Sequence, residues 1–181
     1  ECASPIAWIG AGSFLFDTTF ATTGTTAQAE PACAAFTSTA IANDAWYAWT
    51  ATASGTATLS TCAGTSVDTK LAVHAGAACP TSAPLVCQDD TPAGCGATSF
   101  QSEVAFPVTC GSTYLIQLGT YPLYSQPAVG GLGRVSLTLT GAPCAVSFCF
   151  GDGSGAACPC GNVGTAGRGC ANATNAAGAA L

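Results

Sequence analysis

Charge is what this 181-residue chain has least of. Lys and Arg number 3 and Asp and Glu 9, so charged side chains make up 7% of the sequence, against about a quarter in an ordinary soluble domain. The basic residues Lys70, Arg134 and Arg168 are scattered, and the formal net charge is -6. Nucleic-acid binding needs clustered cations, so that class is excluded. Long apolar runs are missing too. Gly, Thr, Ser and Pro interrupt every stretch well short of the roughly 18 residues of a membrane helix, and no membrane span is expected. The opening residues Glu1 to Pro5 carry neither a basic nor an apolar leader segment. If the chain is exported, its signal peptide is therefore expected to have been removed. No window repeats apolar residues at helical spacing with charges between, which disfavours helical classes. Catalytic signatures are absent as well. A Ser–His–Asp set can be assembled only on paper, from Asp68 or Asp89, any Ser, and His74, the single histidine. Nothing resembles a nucleophile elbow, and a lone strand histidine is usually structural. No enzyme is expected.

What the chain does have is 12 cysteines, as many as its charged side chains. An even, dense set with one histidine to share reads as disulfides in an oxidising compartment, hence a secreted, extracellular or cell-surface protein. Charge ordinarily keeps a monomer dissolved and apart from its copies. A chain with so little is expected to be covered by glycans, by a matrix or by further copies of itself.

Several segments alternate as half-buried strands do. Val135, Leu137 and Leu139 face one way and Ser136, Thr138 and Thr140 the other. Tyr114, Ile116 and Leu118 share a face, as do Val104, Phe106 and Val108. Pro107 cannot donate to a ladder, which puts its strand at an edge or a bend. Leu71 and Val73 point inward, and Thr56 to Ser60 is a weaker strand. Ala45 to Trp49 is apolar on both faces and is expected to be central. Ser13 to Phe16 and Thr18 to Phe20 suggest a further pair. Turn signals stand at Ser54-Gly55, Pro92-Ala93-Gly94, Gly111-Ser112 and Gly130 to Gly133. With no crossover helix between strands, the fold expected is all-β: a two-sheet antiparallel β-sandwich, jelly-roll or Ig-like. The composition changes near the end. Residues 1–143 are read as the sandwich and 144–181 as a Cys/Gly/Ala-rich, disulfide-tied appendix whose cysteines replace a core.

The segments NDAWYAWTATASGTATLSTC, DTKLAVHAG, CQDD, EVAFPVTCGSTYLIQLG and GRVSLTLTG follow one another between Asn43 and about Thr140. Their order resembles that of the bacterial pre-peptidase C-terminal-like domains. The tail FCFGDGSGAACPCGNVGTAGRGCANATNAAGAAL resembles a Cys-rich segment of secreted proteins of planctomycete-type bacteria. The resemblance implies a secreted, non-catalytic β-sandwich, often calcium-bound at the matching Asp-Asp loop. It accompanies enzymes or builds surface structures. No catalytic domain stands beside it here.

The acids are the first candidates for chemistry. Asp89 and Asp90 are adjacent, Asp68 precedes one strand and Asp44 another. Calcium takes six to eight oxygens from carboxylates and loop carbonyls, and these four form its candidate site. The plainer alternative is turn capping. Gly151 to Gly155, around Asp152, is a weaker second candidate. Cys149, Cys158, Cys160 and Cys170 could hold zinc, but they lack paired C-x-x-C knuckles. Chain order suggests the bonds Cys2–Cys33, Cys62–Cys79, Cys87–Cys95 and Cys110–Cys144, with the four tail cysteines closing among themselves. Lys70, the only lysine, could form an isopeptide bond. Trp8, Trp46, Trp49, Tyr121 and Tyr124 raise glycan stacking, with core packing preferred for Trp46 and Trp49. Asn172-Ala173-Thr174 is a glycosylation sequon, and Ser and Thr could take O-linked sugars. The function expected is an extracellular structural protein, a subunit of a filament, surface layer or matrix. It would polymerise by β-strand addition through residues 3–20 or the tail after Ala171. The alternative is a glycan- or protein-binding module of a larger secreted protein.

Overall fold

Trp46, Tyr47 and Trp49 are all buried, although neighbours on a strand point to opposite faces. Both faces of their strand are therefore covered, and the architecture explains by what. The structure, a computed structural model, describes residues 1–91, 95, 100–122, 129–144, 158, 161–166, 168–171 and 174–178. Its strands are β1 (Ile6–Trp8), β2 (Gly12–Asp17), β3 (Ala42–Thr50), β4 (Ala53–Ser60), β5 (Thr69–Ala75), β6 (Val86–Gln88), β7 (Glu103–Val108), β8 (Thr113–Thr120) and β9 (Leu132–Pro143). They form a five-stranded sheet, β1-β3-β8-β5-β6, and a four-stranded sheet, β2-β9-β4-β7. Pairing is antiparallel except for the short β1, which runs parallel to β3. The chain is an all-β, two-sheet sandwich.

The alternating residues meet between the sheets. Tyr47, Trp49, Leu71, Val73, Tyr114, Ile116 and Leu118 come from one sheet. Phe16, Ala57, Leu59, Val104, Phe106, Val135 and Leu137 come from the other. Trp8 stacks on Phe14 and Tyr47, with ring centroids 4.6 and 4.2 Å away. Burying one such side chain stabilises the fold by roughly 1.5–3 kcal/mol.

The outer face of the five-stranded sheet is roofed by the segment 18–41. Ala27 packs on the cluster of Cys2, Trp46 and Leu115, while Cys33 and Ile41 cluster with Ala72. Lys70, His74 and Gln117, which point the same way, are buried beneath it. The four-stranded sheet instead turns Ser54, Thr56, Ser136, Thr138 and Thr140 to solvent. Hydroxyls there solvate a surface that elsewhere carries charge.

Several expectations are corrected. Ser54 and Gly55 lie inside β4; the chain turns at Ala51 and Thr52. Gly55 pairs with Gly141, and a Cβ on Gly55 would stand 2.0 Å from the Thr140 carbonyl oxygen. The glycine serves a close strand approach. Residues 18–20 form no strand; β2 pairs with β9. Pro107 does sit on an edge strand, β7.

The disulfides are Cys2–Cys79, Cys33–Cys87, Cys62–Cys95, Cys110–Cys144 and Cys158–Cys170. Cys110–Cys144 is as expected, whereas Cys2–Cys33, Cys62–Cys79 and Cys87–Cys95 are not formed. The physical reason is tertiary: Cys33, in the roof, is bound to Cys87 on β6, and Cys2, ahead of β1, is bound to Cys79 in the loop that leaves β5. A disulfide between Cys158 and Cys170 also removes the four-thiolate zinc arrangement. Cys149 and Cys160 lie outside the described residues. Such bonds belong to an oxidising compartment, outside the cell or in the periplasm.

The chain divides into two compact units, Glu1–Cys144 and Ala145–Leu181. In the second, Cys158–Cys170 and backbone bonds such as Thr165 N–H to Ala177 O (3.0 Å) and Ala171 N–H to Asn162 O (2.9 Å) hold the described residues.

Candidate metal centre

Strand register brings the acids together. β5 and β6 are antiparallel with Leu71 opposite Gln88, so the start of β5 lies beside the chain that leaves β6. Asp68 stands just before β5, and Asp89 and Asp90 just after β6. Each offers a carboxylate oxygen within 4.8 Å of the others.

A buried hydroxyl triad braces these loops. Thr61 and Thr69 share a hydrogen bond of 2.7 Å, and the Ser102 N–H donates to both hydroxyls at 3.0 and 3.1 Å. Thr91, directly after Asp90, accepts from the Glu103 N–H at 2.9 Å. The Gln88 side chain donates to the Asp90 carbonyl at 2.8 Å. Two disulfides flank the loop. Cys87 ties it to the roof, and Cys95 ties it to the end of β4.

The carboxylates themselves are not satisfied. Among the described residues, Asp68, Asp89 and Asp90 each have a buried Oδ1 with no hydrogen-bond partner. Asp89 is only 6% exposed. Burial, then the neighbouring Asp90, pushes the Asp68 carboxyl up to about 6. Burial pushes Asp89 up to about 7, with Lys70 opposing and Asp68 and Asp90 adding to the rise. Asp90 is raised by burial. Three acids that are costly to ionise sit together with unmet oxygens, as hard-cation ligands do. The donor set fits calcium, since oxygen is the ligand such an ion takes.

Asp44 is not part of this group, which corrects the four-acid expectation. A bulge between Ala42 and Ala45, with Asn43 at φ 46°, turns Asp44 under the roof. Gly119 leaves the room, because a Cβ there would stand 2.4 Å from the Ala42 carbonyl oxygen. Asp44 accepts from the Gly24 N–H (2.8 Å), Trp46 Nε1 (2.7 Å) and Gln117 Nε2 (2.9 Å). It is a saturated acceptor that pins the roof.

His74 lies buried, its ring centroid 5.6 Å from that of Trp46. Among the described residues, neither ring nitrogen has a partner in hydrogen-bond geometry. Burial pushes its pKa down, and the Gln117 side chain beside it partly offsets this. Lys70 escaped notice as a neighbour of the acids. It is fully buried, and its Nζ donates to the Ser38 carbonyl at 3.1 Å. Its position opposite the CQDD loop follows from strand register, which sequence does not supply. Trp8, Trp46 and Trp49 are buried and offer no sugar platform. Tyr121 is half-buried against Phe36, while Tyr124, Asp152 and Asn172 lie outside the described residues.

No family model matches the chain, and no curated protein does. Two solved structures align with it. The crystal structure of PliG from Aeromonas hydrophila, a periplasmic inhibitor of g-type lysozyme, is 18% identical over 75% of this chain and 100% of that one, with a TM-score of 0.41. CorA of Methylomicrobium album BG8, a surface-associated copper-binding protein, is 8% identical over 76% of this chain and 99% of that one, with a TM-score of 0.43.

Proposed function

We propose that the chain is an extracellular, non-catalytic structural domain that binds calcium through Asp68, Asp89 and Asp90. The observation that carries this reading is the three buried, unpartnered carboxylate oxygens at one end of the β5–β6 pair. Bound there, calcium supplies the charge that lets the three carboxylates ionise together. Asp68 would hold it from the approach to β5, and Asp89 and Asp90 from the exit of β6. The role is mechanical, a cross-link between two loops. Calorimetric titration of calcium into the chelated protein at pH 7.5 tests it. One site is expected, with melting raised by roughly 5–10 °C at a hundredfold excess over Kd. No heat and no change in melting temperature would remove the reading.

A second reading, self-assembly, rests on the sheet edges. β1 and β6 are three residues long and β7 carries Pro107, features that discourage pairing. β2 has six residues without Pro or Lys and, among the described residues, pairs on one side only and ends the four-stranded sheet. Beside it a groove of about 630 Å³ is lined by Ile6, Leu15, Tyr47 and Leu132. Leu15 is 70% exposed there. β2 holds one charge, Asp17, and the groove beside it one of opposite sign, Arg134, so the surface is near neutral and its fit is to another near-neutral strand, that of a second copy. Light scattering on eluted wild-type protein is expected to give polymers. Leu15→Lys should give monomers with unchanged melting temperature. A wild type that stays monomeric at high concentration contradicts assembly.

A further inference from the structure

We propose that Lys70 is the built-in counter-charge of the Asp68–Asp89–Asp90 site and sets the charge of the cation the site prefers. This rests on the cation-binding reading above. The argument begins with register. The ladder ends at Leu71 and Gln88, and the next residues on the two chains are Lys70, still in β5, and Asp89, just past β6, so continuing the register sets them across from each other. Residues directly opposite point to the same face. Burial lowers the Lys70 pKa, while the neighbouring Asp89 and then Asp68 oppose this and favour the charged ammonium.

The ammonium is also held in place. It donates to the Ser38 carbonyl at 3.1 Å and lies 5.3 Å from the centroid of the Tyr121 ring. Tyr121 in turn meets Phe36 edge-on at 5.8 Å. The whole Lys70 side chain is buried, so it cannot swing into water when a cation arrives. An incoming ion therefore meets three carboxylates and one fixed positive charge. The uncompensated negative charge is two units, which a divalent ion neutralises and a trivalent ion overshoots. Lys70 repels any bound cation in proportion to that cation's charge. Its removal therefore favours a trivalent ion more than a divalent one.

Two variants of the full, disulfide-bonded chain test this. Lys70→Met removes the charge and the tether to Ser38. Lys70→Gln removes the charge and keeps an N–H donor for Ser38. Calcium affinity is read by calorimetry and terbium(III) affinity by luminescence sensitised by the protein's aromatics. Both variants are expected to bind calcium about tenfold more tightly than wild type. The ratio of terbium to calcium affinity should rise a further roughly threefold. Asp90→Asn, which keeps a side-chain oxygen, should lower that ratio by a similar factor. Combining it with Lys70→Gln should restore the wild-type ratio. If wild type binds neither ion, the calcium reading itself fails. If wild type binds calcium but neither lysine variant shifts the ratio, Lys70 is not the counter-charge. A shift in Lys70→Met alone assigns the effect to the Ser38 tether and also overturns the proposal. If Lys70→Met does not fold, Lys70→Gln and Asp90→Asn decide, and an unmoved ratio in both is a negative result.

Discussion

The Cys2→Ser/Cys79→Ser double variant is expected to lose about 4 kcal/mol of stability and to melt roughly 10 °C lower. The bond spans 77 residues, so its absence frees a long loop in the unfolded chain. Its folded-state role is equally specific. Cys2 packs with Trp46 and Leu115 on the roofed face, and Cys79 packs against them. Without the bond, the hold on this end of the sheet's cover falls to polar contacts, chiefly the Gly24 N–H to Asp44, the Asn43 N–H to the Thr23 hydroxyl and the Asn43 side-chain amide to the Ala21 carbonyl. Trp46 should then gain water, and its emission should shift to the red. Amide exchange should quicken in residues 18–41 and at β3 and β8, while β4, β7 and β9 keep their protection. Thermal unfolding followed by tryptophan emission, with exchange mass spectrometry, measures both parts. A loss under about 1 kcal/mol would contradict the chain-entropy argument. Uniform exchange would contradict the assignment of the bond to the covered face around Trp46.

The roof also explains how far the fold could be read from sequence. β9, β7 and the inner face of β8 were legible because one side of each strand meets the core and alternation records it. β3 was legible as central because Trp46, Tyr47 and Trp49 left it no polar face. The cover over Trp46 was not legible. Segment 18–41 contains no strand and only a short 3-10 turn at Pro31–Cys33, so it leaves no periodic trace. The cysteine partners were hidden for the same reason. Cys33 pairs across 54 residues according to where the roof lands, and Cys2 pairs across 77 with the loop after β5. Asp68, Asp89 and Asp90 were legible as acids at strand ends. Asp44 carried the same signal, but it stands on β3, and β8 lies between that strand and the β5–β6 pair that carries the others. Lys70 looked like an ordinary strand cation, although tertiary structure buries it wholly.

In chelator, the protein is expected to melt higher at pH 5 than at pH 8, the reverse of ordinary acid sensitivity. Burial pushes Asp68 up to about 6 and Asp89 up to about 7 in the folded chain, against an ordinary carboxyl value of 3.8. The folded state thus holds protons that the unfolded chain releases. The penalty is present in full above the folded values. It is relieved as pH falls through them and is gone below the unfolded value. His74 works the other way. Its folded value is lowered by burial, so the unfolded chain takes the proton first and stability declines as pH drops below about 6.5. Two raised acids outweigh one histidine, which leaves a net gain of roughly 3 kcal/mol between pH 8 and pH 5. The corresponding rise in melting temperature is about 6–12 °C. Saturating calcium should cancel the trend, because an ion among the three carboxylates removes the reason to hold protons, and melting at pH 8 should then match or exceed that at pH 5. Asp89→Asn should flatten the chelator curve by removing its largest component. Scanning calorimetry at the two pH values, with and without calcium, gives four melting temperatures. A chelated protein that melts lower at pH 5 than at pH 8 would show that burial at Asp68 and Asp89 is not what governs this end of the sandwich.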